Sequence, residues 1–245
     1  MKLLDLTGQT ALVTGASQGL GAAIARTLAA LGAQVVGWDR HPPAAAADAP
    51  PGVRFEQVDV TDAQAAASAA AALQAQGVGL DILVNNAGIQ GLTAPIAQQD
   101  DETWARVIDV NLTAVFRICR SFAPHMQARG RGRIINIASV AGLRGVAGAV
   151  AYSASKGGVL ALSRALAKEL VASGVTVNCA APGLAETPLQ SQMDAAYVER
   201  IARRIPMGRL CQPDDVAATV AWIASPACGY TTGAVFDVSG GRLAD

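Results

Sequence analysis

The sequence predicts a single α/β domain over residues 1–245, a doubly wound fold in which a parallel sheet of about seven strands carries helices on both faces. Three observations lead there. Short apolar runs alternate with longer segments of helical period along the whole chain, the order that builds parallel strands joined by helices. A glycine-rich turn, TGASQGLG from Thr14 to Gly21, follows the first apolar run directly and opens the first helical pattern. The composition is 51% hydrophobic and only 16% charged over 245 residues, which suits a sheet buried on both faces and a large core in one domain.

Taken in order, Thr10 to Val13 is the first strand and Ala22 to Leu31 the first helix, closed by Gly32. Val35 to Trp38 is the second strand and ends at Asp39. Strand, glycine turn, helix, strand and terminal acid is the order of a dinucleotide site. Its glycines admit a pyrophosphate, its helix N-terminus offers free amides to the anion, and its acid accepts hydrogen bonds from the adenosine ribose. Asp39 would repel a 2′-phosphate and Gln18 is uncharged, so NAD is expected over NADP; Arg40 is the one neighbour that argues the other way.

The segment from His41 to Gly52 has four prolines and reads as a loop. Val53 to Val58 is the third strand, followed by Asp59 and Val60, where Asp59 either reaches the adenine or caps a helix with Thr61 and Asp62. Ala63 to Gln76 is an alanine-rich crossover helix. Leu80 to Val84 is the fourth strand and ends in Asn85-Asn86-Ala87-Gly88, two amides and two small residues that can close over a cofactor. Asp101 to Gln127 reads as one long helix with a polar residue, Asn111, on its apolar side, where it must find partners.

The fifth strand, Arg133 to Ala138, ends at Ser139, and a helix from Tyr152 onward follows. In that helix Tyr152 and Lys156 stand four residues apart, on one face. A free phenol has a pKa of about 10, and a lysine cation beside it favours the phenolate. With Ser139 hydrogen-bonding the substrate oxygen, the set suits proton transfer to or from a secondary alcohol. Val175 to Ala180 is the sixth strand, leading into Pro182-Gly183-Leu184-Ala185-Glu186-Thr187. The stretch from 184 to 209 has weak periodicity and lies past a strand's carboxyl end, the place for a substrate lid. Pro213 to Ser225 is the last helix and Val235 to Val238 the last strand, before Ser239-Gly240-Gly241 and a tail from Arg242 to Asp245.

Nineteen basic residues balance nineteen acidic ones with no long run of either sign, which argues against nucleic acid or an anionic membrane as partner. MKLLDLTGQT has no signal-peptide core, and no apolar run is long enough to span a bilayer, so a cytoplasmic protein is expected. Cys119, Cys179, Cys211 and Cys228 form no C-x-x-C pair, and His41 and His125 are far apart. A zinc site, other metal catalysis and a Ser-His-Asp triad are poorly supported, and no metal is expected.

TGASQGLG, Asp59-Val60, NNAG, Asn111, Ser139, YSASK, PGLAETP and the closing glycine pair stand in the order and spacing of the short-chain dehydrogenase/reductase family, which the chain resembles over nearly its whole length in the short, single-domain form. The resemblance implies a Rossmann fold, a homotetramer and a tetrad of Asn111, Ser139, Tyr152 and Lys156. Tyr152 would be the acid/base, Ser139 would position the substrate oxygen, Lys156 would lower the tyrosine pKa and bind the nicotinamide ribose, and Asn111 would hold a relay water. It further implies that Gly15, Ser17, Gln18, Gly19, Leu20 and Gly21 line the pyrophosphate and adenosine site and that Asp39 takes the adenosine ribose. Asp59 and Val60 would flank the adenine, Asn86, Ala87 and Gly88 would cover the cofactor, and Pro182, Gly183, Leu184 and Thr187 would hold the nicotinamide end.

The substrate face should come from Gln90, Ala141, Leu143, Arg144 and Ala149 together with Ser139, Tyr152 and the lid, with Arg144 a candidate for a carboxylate. An NAD-dependent dehydrogenase of hydroxy acids, polyols, sugars or cyclic alcohols is the leading expectation. A 3-oxoacyl thioester reductase using NADPH is the nearest rival, and a non-enzymatic nucleotide sensor a remote one that the intact tetrad speaks against.

Overall fold

A computed structural model describes residues 3–43, 49–77, 79–193 and 195–244. The strands are β1 (Thr10–Thr14), β2 (Gln34–Asp39), β3 (Val53–Gln57), β4 (Ile82–Asn85), β5 (Gly132–Ile137), β6 (Val175–Pro182) and β7 (Val235–Val238). All pair in parallel, in the order β3-β2-β1-β4-β5-β6-β7. Chain order reverses between β1 and β4, so their connections leave the sheet to opposite sides and open a crevice at the carboxyl ends.

The apolar runs pack because strand side chains alternate between faces. On one face Ala11 and Val13 of β1, Val35 of β2 and Ile82 and Val84 of β4 meet α1 (Gly19–Ala30) and α8 (Pro213–Ala224). On the other, Leu12, Val36, Leu83 and Ile134 meet α2 (Ala63–Ala75), α4 (Ala114–Ala128) and α6 (Val150–Leu170). The alanine-rich α2 buries Ala66, Ala70 and Leu73 and packs against α4.

At the amino end of the sheet a carboxylate is built in. Asp81, just before β4, accepts from the Thr10 amide at 3.0 Å, from Arg129 Nη2 at 2.5 Å and from Arg131 Nε at 3.2 Å. These bonds tie β1 and β4 to the loop that enters β5.

Two elements differ from the sequence expectation. The segment 101–127 is not one uninterrupted α-helix: α3 (Asp101–Ile108) and α4 are joined by a π turn over Asp109–Thr113. Asn111 sits in that turn with no exposed surface, and its bonds to Ile89 and Ser155 hold the extra residue inside the fold. The residues after Ser139, to which the sequence pattern assigns no element, form a short helix, α5 (Val140–Arg144), capped by Ser139 Oγ, which accepts from the Ala141 amide at 3.1 Å.

Positions 41–43 and 49–52 of the proline-rich loop contain no helix, while 44–48 of that loop and Asp245 of the tail lie outside the described residues. The stretch from 184 to 209 holds a short turn, Pro188–Gln192, and α7 (Ala195–Ala202). No helix among the described residues is long and apolar enough to cross a membrane.

Candidate active site

A cleft of about 490 Å³ runs along the carboxyl ends of the strands. At one end is the glycine turn. Gly15 adopts φ +64°, and a Cβ there would stand 2.9 Å from Ala87 Cα. At Gly21 a Cβ would lie 1.9 Å from the Gly15 carbonyl oxygen, so only glycine lets α1 start this close to β1. Gln18 precedes α1 without a side-chain cap, and no acid stands in the first turn, which leaves the helix amides and dipole for an external anion. Asn86 fixes the turn from across the cleft: its Nδ2 donates to the carbonyls of Thr14 (2.9 Å) and Gly15 (3.1 Å), and Thr14 Oγ1 accepts from the amides of Asn86 and Ala87.

Asp39 ends β2 as expected. Its Oδ2 accepts from the Ser17 amide at 3.1 Å and the Ser17 hydroxyl at 2.6 Å, and its Oδ1 from the His41 amide at 3.0 Å. Ser17 is therefore bonded to Asp39 and does not line the cleft, nor does Gly21, whereas Gly15, Gln18, Gly19 and Leu20 do. Asp59 and Val60 also line it. Asp59 accepts from the amide and hydroxyl of Thr61, the hydroxyl bond doing most to hold its carboxyl below the usual range, while Asp62 provides the cap of α2. A glycine turn packed too closely for a Cβ, an uncapped helix start and a carboxylate at the next strand end fit an adenine dinucleotide.

At the other end Tyr152 and Lys156 share a face of α6. Lys156 Nζ lies 5.9 Å from the centroid of the tyrosine ring and donates to the Ile137 carbonyl at 2.7 Å. It is 4% exposed, and burial pushes its ammonium down to about 8. The nearby Cys179 thiol is itself pushed up by burial, stays protonated and supplies no counter-charge. The position of α6 against β5 is set by a buried polar ladder: Asn85 Nδ2 donates to Asn136 Oδ1 at 2.8 Å, Asn136 Nδ2 to Ser163 Oγ at 2.8 Å, and Ser163 lies two turns beyond Lys156.

Ser139 and Tyr152, both half-buried, line the cleft with Lys156. Asn111 does not line it. Its Oδ1 accepts from the Ile89 amide (2.9 Å), and its Nδ2 donates to the Ile89 carbonyl (2.9 Å) and to Ser155 Oγ (3.1 Å). The side chain joins the π turn, the loop after Gly88 and α6. The Cβ position of Gly88 is 3.3 Å from Asn111 Oδ1 and 3.6 Å from Lys156 Nζ, so the asparagine and the lysine flank that loop together.

Asn86, Ala87 and Gly88 line the middle of the cleft, and Pro182, Gly183, Leu184 and Thr187 the part above β6. Of the substrate-face candidates, Gln90, Ala141 and Ala149 line the cleft, while Leu143 and Arg144 do not. Arg144 points elsewhere: its Nη1 donates to the Arg242 main-chain carbonyl at 2.5 Å. Arg242 itself lines the cleft, as do Leu189, Met193 and Ile201 of the lid stretch. The residue missed in the sequence is thus in the tail, and the only signal for it was the continuation of the chain past Gly241.

Among the described residues no cluster of His, Cys, Asp or Glu is able to hold a metal ion. All four cysteines are free; burial pushes the Cys119 thiol up to about 12, so it is no nucleophile at neutral pH.

A family model described as "Enoyl-(Acyl carrier protein) reductase" matches residues 15–242. A 2-dehydro-3-deoxy-L-rhamnonate dehydrogenase (NAD(+)) of Sphingomonas sp. (strain SKA58) is 42% identical over 241 residues, covering 96% of this chain and 95% of the relative. The 3-oxoacyl-[acyl-carrier-protein] reductase of Vibrio cholerae is 37% identical over 244 residues, covering 97% and 98%. Among solved structures, one from Agrobacterium tumefaciens described as a candidate 2-deoxy-D-gluconate 3-dehydrogenase with bound NADP superposes with a TM-score of 0.90 at 39% identity, over the whole of both chains.

Proposed function

The chain belongs to the short-chain dehydrogenase/reductase family, and from that premise we propose that it is an NAD-dependent oxidoreductase of secondary alcohols, taking hydroxy acids, polyols, sugars or cyclic alcohols. The observation that carries this reading is the placement of Tyr152 and Lys156 on one face of α6, in the same cleft as Ser139 and the glycine cradle. NAD, when bound, supplies the hydride acceptor for the carbinol carbon.

The protein's own groups do the rest. Tyr152 takes the proton of the substrate hydroxyl, or returns it in the reductive direction. Ser139 Oγ hydrogen-bonds the substrate oxygen and holds it facing the phenol. Lys156 contributes positive charge beside the ring and reaches the nicotinamide ribose, and Asn111 keeps the loop over the cofactor in register with α6. The water-relay role implied for Asn111 is part of the proposal, as are the cofactor contacts of Gln18, Leu20, Asp59, Val60, Ala87 and Thr187. Asp39 favours NAD, because a 2′-phosphate would meet its carboxylate; the Sphingomonas relative, named for NAD(+), is in line with that.

The reading extends to a cytoplasmic homotetramer with residues 184–209 as its lid. Support for assembly comes from large apolar side chains left exposed on α3 and α4 (Trp104, Phe116) and beside β7 (Trp222, Tyr230).

The second reading, reduction of 3-oxoacyl thioesters with NADPH, is favoured by the likeness to the Vibrio cholerae enzyme. Initial rates over a panel of hydroxy acids, polyols, sugars and cyclic alcohols, with NAD and then NADP, test the proposal. Turnover of one class with NAD is the expected result. A silent panel with brisk NADPH-dependent reduction of 3-oxoacyl thioesters would hand the site to the second reading and make Arg40 the cofactor selector.

A further inference from the structure

Arg242 reaches the cleft by a built route. Gly240 and Gly241, with φ +66° and +92°, turn the chain back at the end of β7. The turn packs on the base of the lid stretch: the Cβ positions of the two glycines lie 2.8 Å from Ile205 Cγ2 and 3.2 Å from Pro206 Cβ, and the Gly240 carbonyl accepts from the Met207 amide at 3.1 Å. A further bond, from the Ala244 amide to the Gly241 carbonyl at 3.1 Å, curls the segment around Arg242. Arg144, at the end of the helix that Ser139 begins, then clasps the Arg242 carbonyl. The tail is thereby held between α5 and the lid, at the catalytic end.

The charges along the cleft are divided unevenly. Its acidic lining residues are Asp39, Asp59 and Asp109. Asp39 and Asp59 follow β2 and β3, and Asp109 is joined to the same end through Arg117, which also donates to the Thr61 carbonyl. Among the described residues no other carboxylate lines the cleft, and none pairs with the Arg242 guanidinium. The cleft is also lined by the apolar Val146, Leu189, Met193 and Ile201 and by Gln90, which is 4% exposed and has a carboxamide oxygen without a hydrogen-bond partner. A half-buried arginine lining a cleft with no carboxylate paired to it among the described residues gains most from an anion brought by the ligand, and its planar fork matches a carboxylate.

We propose that Arg242 is a specificity residue that binds the carboxylate of a hydroxy-acid substrate, and that Arg144 is the residue that positions it. The inference rests on the dehydrogenase reading and narrows it, from secondary alcohols in general to those bearing a carboxylate some atoms away from the carbinol. It also reassigns the cation: Arg144, the sequence candidate for that charge, acts through the main chain of Arg242.

The test uses substrate pairs that differ in the acid group, cis-4-hydroxycyclohexanecarboxylate against cis-4-methylcyclohexanol and D-gluconate against D-glucitol. The wild type is expected to favour the acids. In Arg242→Ala the acid-to-neutral ratio of kcat/KM should fall about 50-fold, carried mainly by KM, with Arg242→Lys intermediate, since a charge-assisted bidentate contact is lost. Arg144→Ala should lower the same ratio by about 10-fold, because the tail carbonyl loses its donor while Arg242 is retained. An unchanged ratio in Arg242→Ala would overturn the proposal.

Calorimetry with cyclohexanecarboxylate, which has no hydroxyl to oxidise, reads the same site in the NAD-loaded protein without turnover. Binding that Arg242→Ala loses and Tyr152→Phe keeps would uphold the carboxylate site even if the alcohol panel failed. Absence of binding to the wild type would remove the site while leaving the dehydrogenase reading intact.

Discussion

At the amino end of the sheet Asp81 is surrounded by the donors it needs, an amide and two arginines. At the carboxyl end Lys156 is buried with one carbonyl and no carboxylate among the described residues, Gln90 has an orphaned oxygen, and the start of α1 is left without a side-chain cap. Both ends sit on the same parallel strands, with the same apolar layers above and below. The difference teaches where this fold keeps its reserve: groups are satisfied where only stability is at stake and left unsatisfied where a ligand is to complete them. If that division is right, damage at one end should appear as lost stability and damage at the other as lost chemistry.

The largest separation is expected for Tyr152→Phe. Removing a positioned acid/base typically costs about 10³-fold in rate, and the phenylalanine keeps the ring against Lys156. The variant should lose nearly all turnover, keep NAD affinity by fluorescence titration and unfold in urea within about 0.5 kcal/mol of the wild type, as a change away from packing normally does. Turnover at the wild-type rate would remove Tyr152 from the chemistry. A large stability loss would show that the two ends are not independent.

Asp81→Ala is the converse. Breaking a largely buried pair by deleting one partner strands the others, and about 3 kcal/mol of unfolding free energy should go with it, read from the urea midpoint at constant m-value. Arg131 is exposed and will lose little, so most of the effect belongs to Arg129 and the Thr10 amide. Activity per folded molecule should stay as it was, since Asp81 touches nothing in the cleft. A fall in kcat that tracked the fall in stability would break the division.

The same contrast explains what the sequence made legible. Local spacing carried the strand–turn–helix–strand unit around Gly15 and Asp39, the Tyr152 and Lys156 pair, and the seven strands in order, because each depends on neighbours a few residues away. It did not carry the π turn, since an inserted residue at Asn111 is invisible to a helical period and is fixed by bonds to Ile89 and Ser155, 22 and 44 residues distant. A five-residue helix such as α5 is too short to show a period at all. The bond from Arg144 to the Arg242 carbonyl spans 98 positions, and only the folded chain reveals that one arginine serves the other. The resemblance placed Ser17 in the cofactor site, but the bond from its hydroxyl to Asp39, 22 residues on, is visible only in the folded chain.

The finest test of the division is the pH dependence contributed by Lys156. Its folded ammonium loses its proton near 8, against 10.5 for an ordinary lysine, because burial disfavours the charge. Between those values the unfolded chain binds more protons than the folded one, so stability must rise with pH across this window, and the penalty is largest below pH 8. In the protein without cofactor, unfolding free energy should therefore climb by about 2 kcal/mol from pH 7 to 10 relative to Lys156→Met, in which the titrating group is absent and the other ionisations cancel. At pH 7 the methionine variant should be the more stable of the two and inactive, the signature of a charge kept for chemistry at the expense of the fold. Parallel pH curves for the two proteins would mean that Lys156 is already compensated within the folded chain, and that the carboxyl end holds no such reserve at this residue.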